Sequence, residues 1–340
     1  MPAVMNDRSW IVETLAHRRS TAVPYNFMFS PPARAALERY YATEDLEQSL
    51  ALPIRMNAPV SIKPLYADPA EFGDTARDEF GVLWSTNRID RGAPLVPCLT
   101  TPTLKGYRFP DPAAAYRYEG LGQWCEANRE HYTILWVGDL WERATFMRGM
   151  ESLLLDVALS PGFVQRLLEG ITSYILETMK ILFACFRFDG IAVSDDYGTQ
   201  GVLIIAPKDW RMFVKPCLAE IYSLARRHGR SVFHHSCGHI VPIIPDLIEI
   251  GLDILHPIQP EAMDVLALKR EFGRELTFCG GLGTQRLLPL GTPAEVRLEV
   301  RRLKDELGRD GGYILEPGIT VQADVPVDNM VAMIEEARVQ

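Results

Sequence analysis

The sequence predicts an α/β chain built as a (β/α)8 TIM-type barrel with an N-terminal helical extension. Three observations predict it. Short apolar runs alternate with helix-length amphipathic segments through the second half, the pattern of parallel strands covered by helices. About eight such runs fit within 340 residues, an ordinary length for one barrel with extensions. Polar residues able to do chemistry gather where the runs end, as the working face of a parallel barrel requires.

The elements follow in order. "VPYNFMF" (23–29), "GVLWS" (81–85) and "YTILWVGDL" (132–140) are the strands expected in the first half. Residues around 30–80 and 86–130 are Pro-rich and irregular. They read as the helical extension and as loops over the barrel mouth, so residues 1–340 form one domain. Ser160-Pro161 opens a helix with apolar residues at 163, 164, 167, 168, 171, 175, 179 and 182, the spacing of one buried helix face. "GIAVSDD" (190–196) is a strand ending in carboxylates. A helix over about 207–228 is entered through "APKDW" and closed by Gly229. "SVFHHSC" (231–237) is the next strand, "IVPIIPDLIEIG" (240–251) a helix and its stop, and "LDILHPI" (252–258) a strand. "LKREFG" (268–273) ends a helix, and "LTFCGG" (276–281) is a strand. In "TPAEVRLEVRRLKDELG" (292–308), Thr292 caps the helix, Pro293 sits in its first turn and Glu295 completes a capping box. "GYILEPG" (312–318) is the last strand and "VDNMVAMIEEARV" (327–339) the closing helix.

Composition narrows the function. The net charge is −9, and no basic or basic-aromatic stripe marks a nucleic-acid surface. No stretch approaches the ~20 apolar residues of a membrane span. "MPAVMNDRSWIVETLAHRRS" lacks the apolar core of a signal peptide, so a cytoplasmic location is expected. The six cysteines are scattered; in a reducing compartment they are free thiols or ligands rather than a disulfide framework. Cys98, Cys125, Cys185 and Cys217 are assigned to packing.

"RSVFHHSCGHI" (230–240) holds three of seven histidines. His235 and Cys237, two apart on an extended chain, point to the same side, which is a way to grip a soft metal. Packed core residues without chemistry are the alternative reading. Other strand ends carry Asp139, Asp195, Asp196, His256, Cys279 and Glu316. Zinc accepts imidazole, thiolate and carboxylate, so His235, Cys237, Cys279 and Glu316 form the candidate metal site. Asp195, Asp196 and His256 are candidates for orienting ligands or moving protons; the two aspartates equally suit a helix cap. Asp139, Gln200 and Gln285, with Tyr25 and Asn26 after the first strand, are candidate substrate contacts. His234 and His239 are neighbours of the site or face solvent. The glycines of "CGGLGTQ" miss the spacing of a phosphate fingerprint; Gly280 and Gly281 are expected to let the backbone turn near a ligand.

"HSCGHIVPIIPDLIEIGLDILHPIQP", "LKREFGRELTFCGGLGTQRLLPLGTPAEVRLEV", "GGYILEPGITVQADVPVDNMVAM" and "DDYGTQGVLIIAPKDWRMFVKPCLAEIY" (195–222) resemble the uroporphyrinogen decarboxylase superfamily. The resemblance runs from about 185 to 337, and more loosely back to "VPYNFMF". It implies a (β/α)8 barrel and one of two chemistries. One branch decarboxylates uroporphyrinogen without metal or cofactor. The other transfers methyl groups to or from corrinoids and binds zinc through an H-x-C pair and a later cysteine, the zinc activating a thiol acceptor. His235 and Cys237 match that pair. Where the decarboxylases carry an Arg-rich "RQAGRY"-type motif, "YNFMFSPPARAALERYY" has only Arg34 and Arg39. Bidentate clamps for eight carboxylates are thereby missing. Ile319 stands at the place of the methyltransferases' last cysteine, and Cys279 with Glu316 is the expected substitute.

The resemblance therefore implies zinc-dependent methyl transfer between a small substrate and a corrinoid cofactor or corrinoid protein, in a homodimer. No D-x-H-x-x-G corrinoid segment occurs in the sequence, so such a module would be another chain. A metal-free decarboxylase acting on a porphyrinogen or a smaller acid, and a non-catalytic tetrapyrrole- or metal-binding protein, are the alternatives.

Overall fold

The structure is a computed structural model that describes residues 6–18 and 22–339. Seven parallel strands pair in chain order: β1 Ile54–Asn57, β2 Tyr132–Asp139, β3 Gly190–Ser194, β4 Ser231–His235, β5 Ile254–Ile258, β6 Thr277–Leu282 and β7 Tyr313–Pro317. β5, β6 and β7 are buried at every residue, as strands covered by helices outside and side chains inside must be. The segment 23–29 forms the eighth stave beside β7. Tyr25 bridges Leu315 and Phe29 bridges Val321, both parallel. The Asn26 amide donates to the Leu315 carbonyl at 3.0 Å, and the Leu315 amide to the Pro24 carbonyl at 2.8 Å. Pro24 has no N–H to extend this into a ladder.

Inside the barrel, Ile54, Tyr132, Ile134, Ala192, Phe233, Ile254, Cys279 and Ile314 form one apolar cluster with Ile11. Ile11 comes from the helix Asp7–Leu15, whose cap Asn6 accepts from the Ser9 amide at 2.8 Å. Backbone bonds from this helix to Glu130 and Gly312 place it under the amino ends of β2 and β7. The opposite end is left open for a site. The long helix Pro161–Cys185 buries Phe163, Val164, Leu167, Leu168, Ile171, Ile175, Met179 and Leu182, the face expected from its spacing. Truncating one of these leucines to Ala would cost about 2–5 kcal/mol. The capping box at Thr292 and Glu295 is formed.

Several expectations are corrected. β1 lies in the stretch read as irregular, between prolines at 53 and 59; four residues are too few to show a period. Leu83–Ser85 is a strand, but of a separate antiparallel sheet with Thr75–Arg77 and Pro94–Val96. The helix expected over 207–228 is two, Pro207–Phe213 and Lys215–Arg227, because Pro216 lacks the amide that would continue the first into the second. Gly280 and Gly281 have φ of 125° and 97° inside β6. A Cβ on Gly280 would lie 2.8 Å from the Ile258 amide nitrogen, and one on Gly281 would be 3.1 Å from the Tyr313 hydroxyl. Their absent side chains admit protein neighbours, not a ligand. Cys125 and Cys217 are buried as expected, whereas Cys185 is exposed at the end of its helix. Among the described residues no helix is long and apolar enough to cross a membrane.

Candidate metal centre at the barrel mouth

The carboxyl end of β3 splits two adjacent aspartates, because successive side chains leave an extended strand on opposite sides. Asp195 is fully buried. It accepts from the Leu140 amide at 2.9 Å, the Glu142 amide at 2.8 Å and the Tyr197 hydroxyl at 2.7 Å. It therefore anchors the start of the helix Trp141–Arg148, the capping role left open above. Burial raises its pKa, with the Tyr197 and Glu142 hydrogen bonds opposing. Asp196 turns to the other side, toward the end of β4. Its Oδ1 accepts the Cys237 amide at 2.8 Å and lies 3.5 Å from His235 Nε2. Burial pushes the Asp196 carboxyl up, but the hydrogen bond and charge of His235 overcome this and hold it at about 2.

The next strand end repeats the alternation. His234 is fully buried; its Nδ1 lies 2.7 Å from the Tyr222 hydroxyl and its ring stacks on Tyr197. Burial, then the charge of His235, lowers its pKa to about 3, so it is a neutral core histidine rather than a ligand. His235 faces the mouth. Its Nε2 is 3.5 Å from Cys237 Sγ. Burial lowers its pKa, but hydrogen bonds to Asp196 and Cys237 raise it to about 10. His239 is half-buried and contacts the Ala262 carbonyl at 3.0 Å.

Asp196, His235 and Cys237 bring one donor atom each within 4.8 Å of one another; so do His256, Cys279 and Glu316, which are fully buried. The expected tetrad is corrected accordingly: His235 and Cys237 belong to the first triad, Cys279 and Glu316 to the second. The reason is depth. Cys279 lies within β6 among the barrel's interior residues, not on the loop beyond it. In the second triad the Cys279 thiol donates to Glu316 Oε2 at 2.9 Å and Asn26 Nδ2 donates to Glu316 Oε1 at 3.2 Å. Burial raises the Glu316 carboxyl to about 7 and drives the Cys279 thiol well up, while it drives the His256 imidazole well down. Two imidazoles join the triads: His235 Nδ1 and His256 Nδ1 are 2.9 Å apart.

Two lobes that share part of their walls open beside these groups. The larger, about 960 Å³, is lined by Asn26, Arg34, Arg55, Trp136, Ser194 and His235 among others. The smaller, about 410 Å³, is lined by Lys63, Asp139, Glu142, Arg143, Phe146 and Tyr174 among others. Arg91, Trp136 and Ser194 border both. Asp139 reaches the smaller lobe bound to Arg143 at 3.2 Å. Gln200 and Gln285 are exposed and line neither lobe; their turns carry them outward. Tyr25 is core, its hydroxyl donating to the Leu50 carbonyl at 3.2 Å. Sequence reasoning missed Gln259, which takes the Gly238 amide on Oε1 at 2.6 Å and points Nε2 at Cys237 Sγ, 3.7 Å away. It follows β5 directly, so the strand-end rule that found His256 also reaches it. Glu142 was missed because it starts a helix. It accepts from Ser194 Oγ at 2.9 Å and pairs with Arg91 at 3.2 Å.

Fold and site together define the class: a (β/α)8 barrel protein with soft and hard donors clustered at the carboxyl ends of its strands. The chain belongs to the uroporphyrinogen decarboxylase (URO-D) family, whose model matches residues 110–339, more than half of its length. A solved methyltransferase from Methanosarcina mazei superposes with a TM-score of 0.68 at 14% sequence identity, covering 98% of this chain and 98% of that chain. At that identity the likeness concerns the fold. No curated protein matches the sequence at a significant level.

Proposed function

We propose that the chain is a zinc-dependent methyltransferase that moves a methyl group between a small substrate and a corrinoid, carried free or on a partner protein. The observation that carries this reading is the Asp196–His235–Cys237 triad, which reaches the wall of the larger lobe through His235. Imidazole, thiol and carboxylate are a zinc donor set, so the residues fit the ion. Bound there, zinc would lower the pKa of an acceptor thiol and present it as thiolate.

The rest is the work of the chain. Gln259 directs an amide N–H at Cys237 Sγ, which favours the thiolate form a metal needs. Asp196 fixes the Cys237 backbone through its amide. Burial first, then the Asp196 and Asp139 carboxylates, raises the Glu142 pKa; from the wall of the smaller lobe it would hold and release a proton for substrate. A corrinoid bound at the lobe would supply or accept the methyl group, and an acceptor thiol seated there would give up its proton to solvent as it takes the methyl.

The arginines around the larger lobe speak against a decarboxylase of polycarboxylate substrates, because they are already engaged. Arg34 is bidentate with Glu47 at 2.6 and 2.6 Å and bonds Glu38 at 2.8 Å. Arg55 donates to the Leu52 carbonyl and Arg91 to Glu142. The test is metal analysis of the purified chain, followed by methylcobalamin consumption with a small thiol. One zinc per chain and thiol-dependent consumption are expected. A chain that takes up no zinc, or that converts uroporphyrinogen to coproporphyrinogen, overturns the reading.

A further inference from the structure

The second triad is as rich in donors as the first, yet its geometry speaks against a second ion. Nδ1 of His235 and Nδ1 of His256 approach to 2.9 Å, a distance that needs one hydrogen between them. A ring that ligates a metal must be neutral, and with both rings neutral the donor carries its proton on Nδ1 and has a free lone pair on Nε2. The acceptor then carries its proton on Nε2 and has no lone pair there to give a metal. One ring of the pair can ligate through Nε2; the other cannot while the contact lasts.

Three features decide which. His235 lines the larger lobe, whereas His256, Cys279 and Glu316 are sealed from solvent, so only the first triad has an entry path. Cys279 spends its thiol hydrogen on Glu316 Oε2 at 2.9 Å, which leaves it a thiol and not a ligand thiolate. His256 Nε2 is buried without a hydrogen-bond partner and faces Glu316 Oε2 at 3.7 Å. An N–H there points at a carboxylate already oriented by Cys279 and Asn26.

We propose that His256, Cys279, Glu316 and Asn26 are not a second metal site but an aligning arm. In it, Glu316 faces the Nε2–H of His256, His256 Nδ1 accepts from the Nδ1–H of His235, and the Nε2 lone pair of His235 is thereby aimed at the single ion the chain holds. This rests on the metal reading above and deepens it. His256 is a positioning residue: it acts on the ion only through His235.

Cobalt(II) titration of the full chain tests it, because thiolate-to-cobalt absorption reports how many sulfurs bind. The arm predicts one equivalent per chain. It predicts a band unchanged in Cys279→Ser and lost in Cys237→Ser, and an affinity about 10–100-fold lower in His256→Leu with stoichiometry still one. Two equivalents in the wild-type chain, or a band weakened by Cys279→Ser, overturns the arm while leaving metal binding intact. No cobalt uptake at all overturns the metal reading and the arm with it. The wild-type stoichiometry decides the point even where a buried variant fails to fold.

Discussion

Asp195 and Asp196 are neighbours in sequence but serve opposite sides of one strand end. The first holds a helix start through two backbone amides and the Tyr197 hydroxyl. The second faces His235 and the Cys237 amide. A pair that reads in sequence as two equivalent carboxylates is one structural anchor and one candidate ligand.

Asp195→Ala is therefore expected to act on stability. It leaves three buried donors without an acceptor, and at about 1–3 kcal/mol for each buried group left unsatisfied the loss is roughly 3–9 kcal/mol. Urea unfolding measures it. A variant as stable as the wild type would show that the helix start does not depend on this carboxylate.

Gln259→Leu is expected to act on the metal site, and to cost about 1–3 kcal/mol of stability because the buried Gly238 amide loses its acceptor. It removes the N–H aimed at Cys237 Sγ, and loss of such a supporting contact typically costs 10–100-fold in metal affinity. Zinc competition with a chromophoric chelator reads it directly; equal affinity in the two proteins would remove Gln259 from the site.

His234 gives an acid signature. Its pKa is near 6.5 in an unfolded chain and about 3 in the fold. Between those values the unfolded state binds the extra proton, so stability falls as pH falls. The contribution is whole above about pH 6.5 and is lost progressively on the way to 3, at no more than about 1.4 kcal/mol per pH unit for one proton. Denaturant midpoints at pH 7, 5.5 and 4 should drop less steeply in His234→Phe than in the wild type. Parallel profiles would mean that His234 is not neutral in the fold.

The loops after Asp196 and Cys237 meet at two glycines. A Cβ on Gly198 would lie 2.5 Å from the His239 amide nitrogen. One on Gly238, whose φ is 81°, would lie 2.4 Å from the Gly198 carbonyl. Gly238→Ala is expected to cost more than about 1 kcal/mol and to weaken zinc binding by shifting Cys237. Gly201→Ala, with nothing within 4 Å of its added carbon, is the control and should change neither. Equal zinc affinity in the two variants would refute the coupling.

The barrel was legible because long apolar runs, the Thr292 box and the face of Pro161–Cys185 are local signals. β1 was not, since four residues between prolines carry no period. Of the site, His235 and Asn26 line the larger lobe and Asp139 the smaller, while Asp196 and Cys237 lie beside His235. Depth was the hidden variable. Nothing in "LTFCGG" says that Cys279 sits one layer below the loop, and nothing in a turn glycine says whether the next glutamine points in or out.

The contact between Gly198 and Gly238 bears on how the centre would fit an ion. Side chains can yield by rotating about their bonds, but two peptide planes pressed together have no such freedom. The backbones that carry Asp196 and Cys237 are therefore held at a fixed separation, and only rotation about side-chain bonds is left to adapt the carboxylate and the sulfur to a guest.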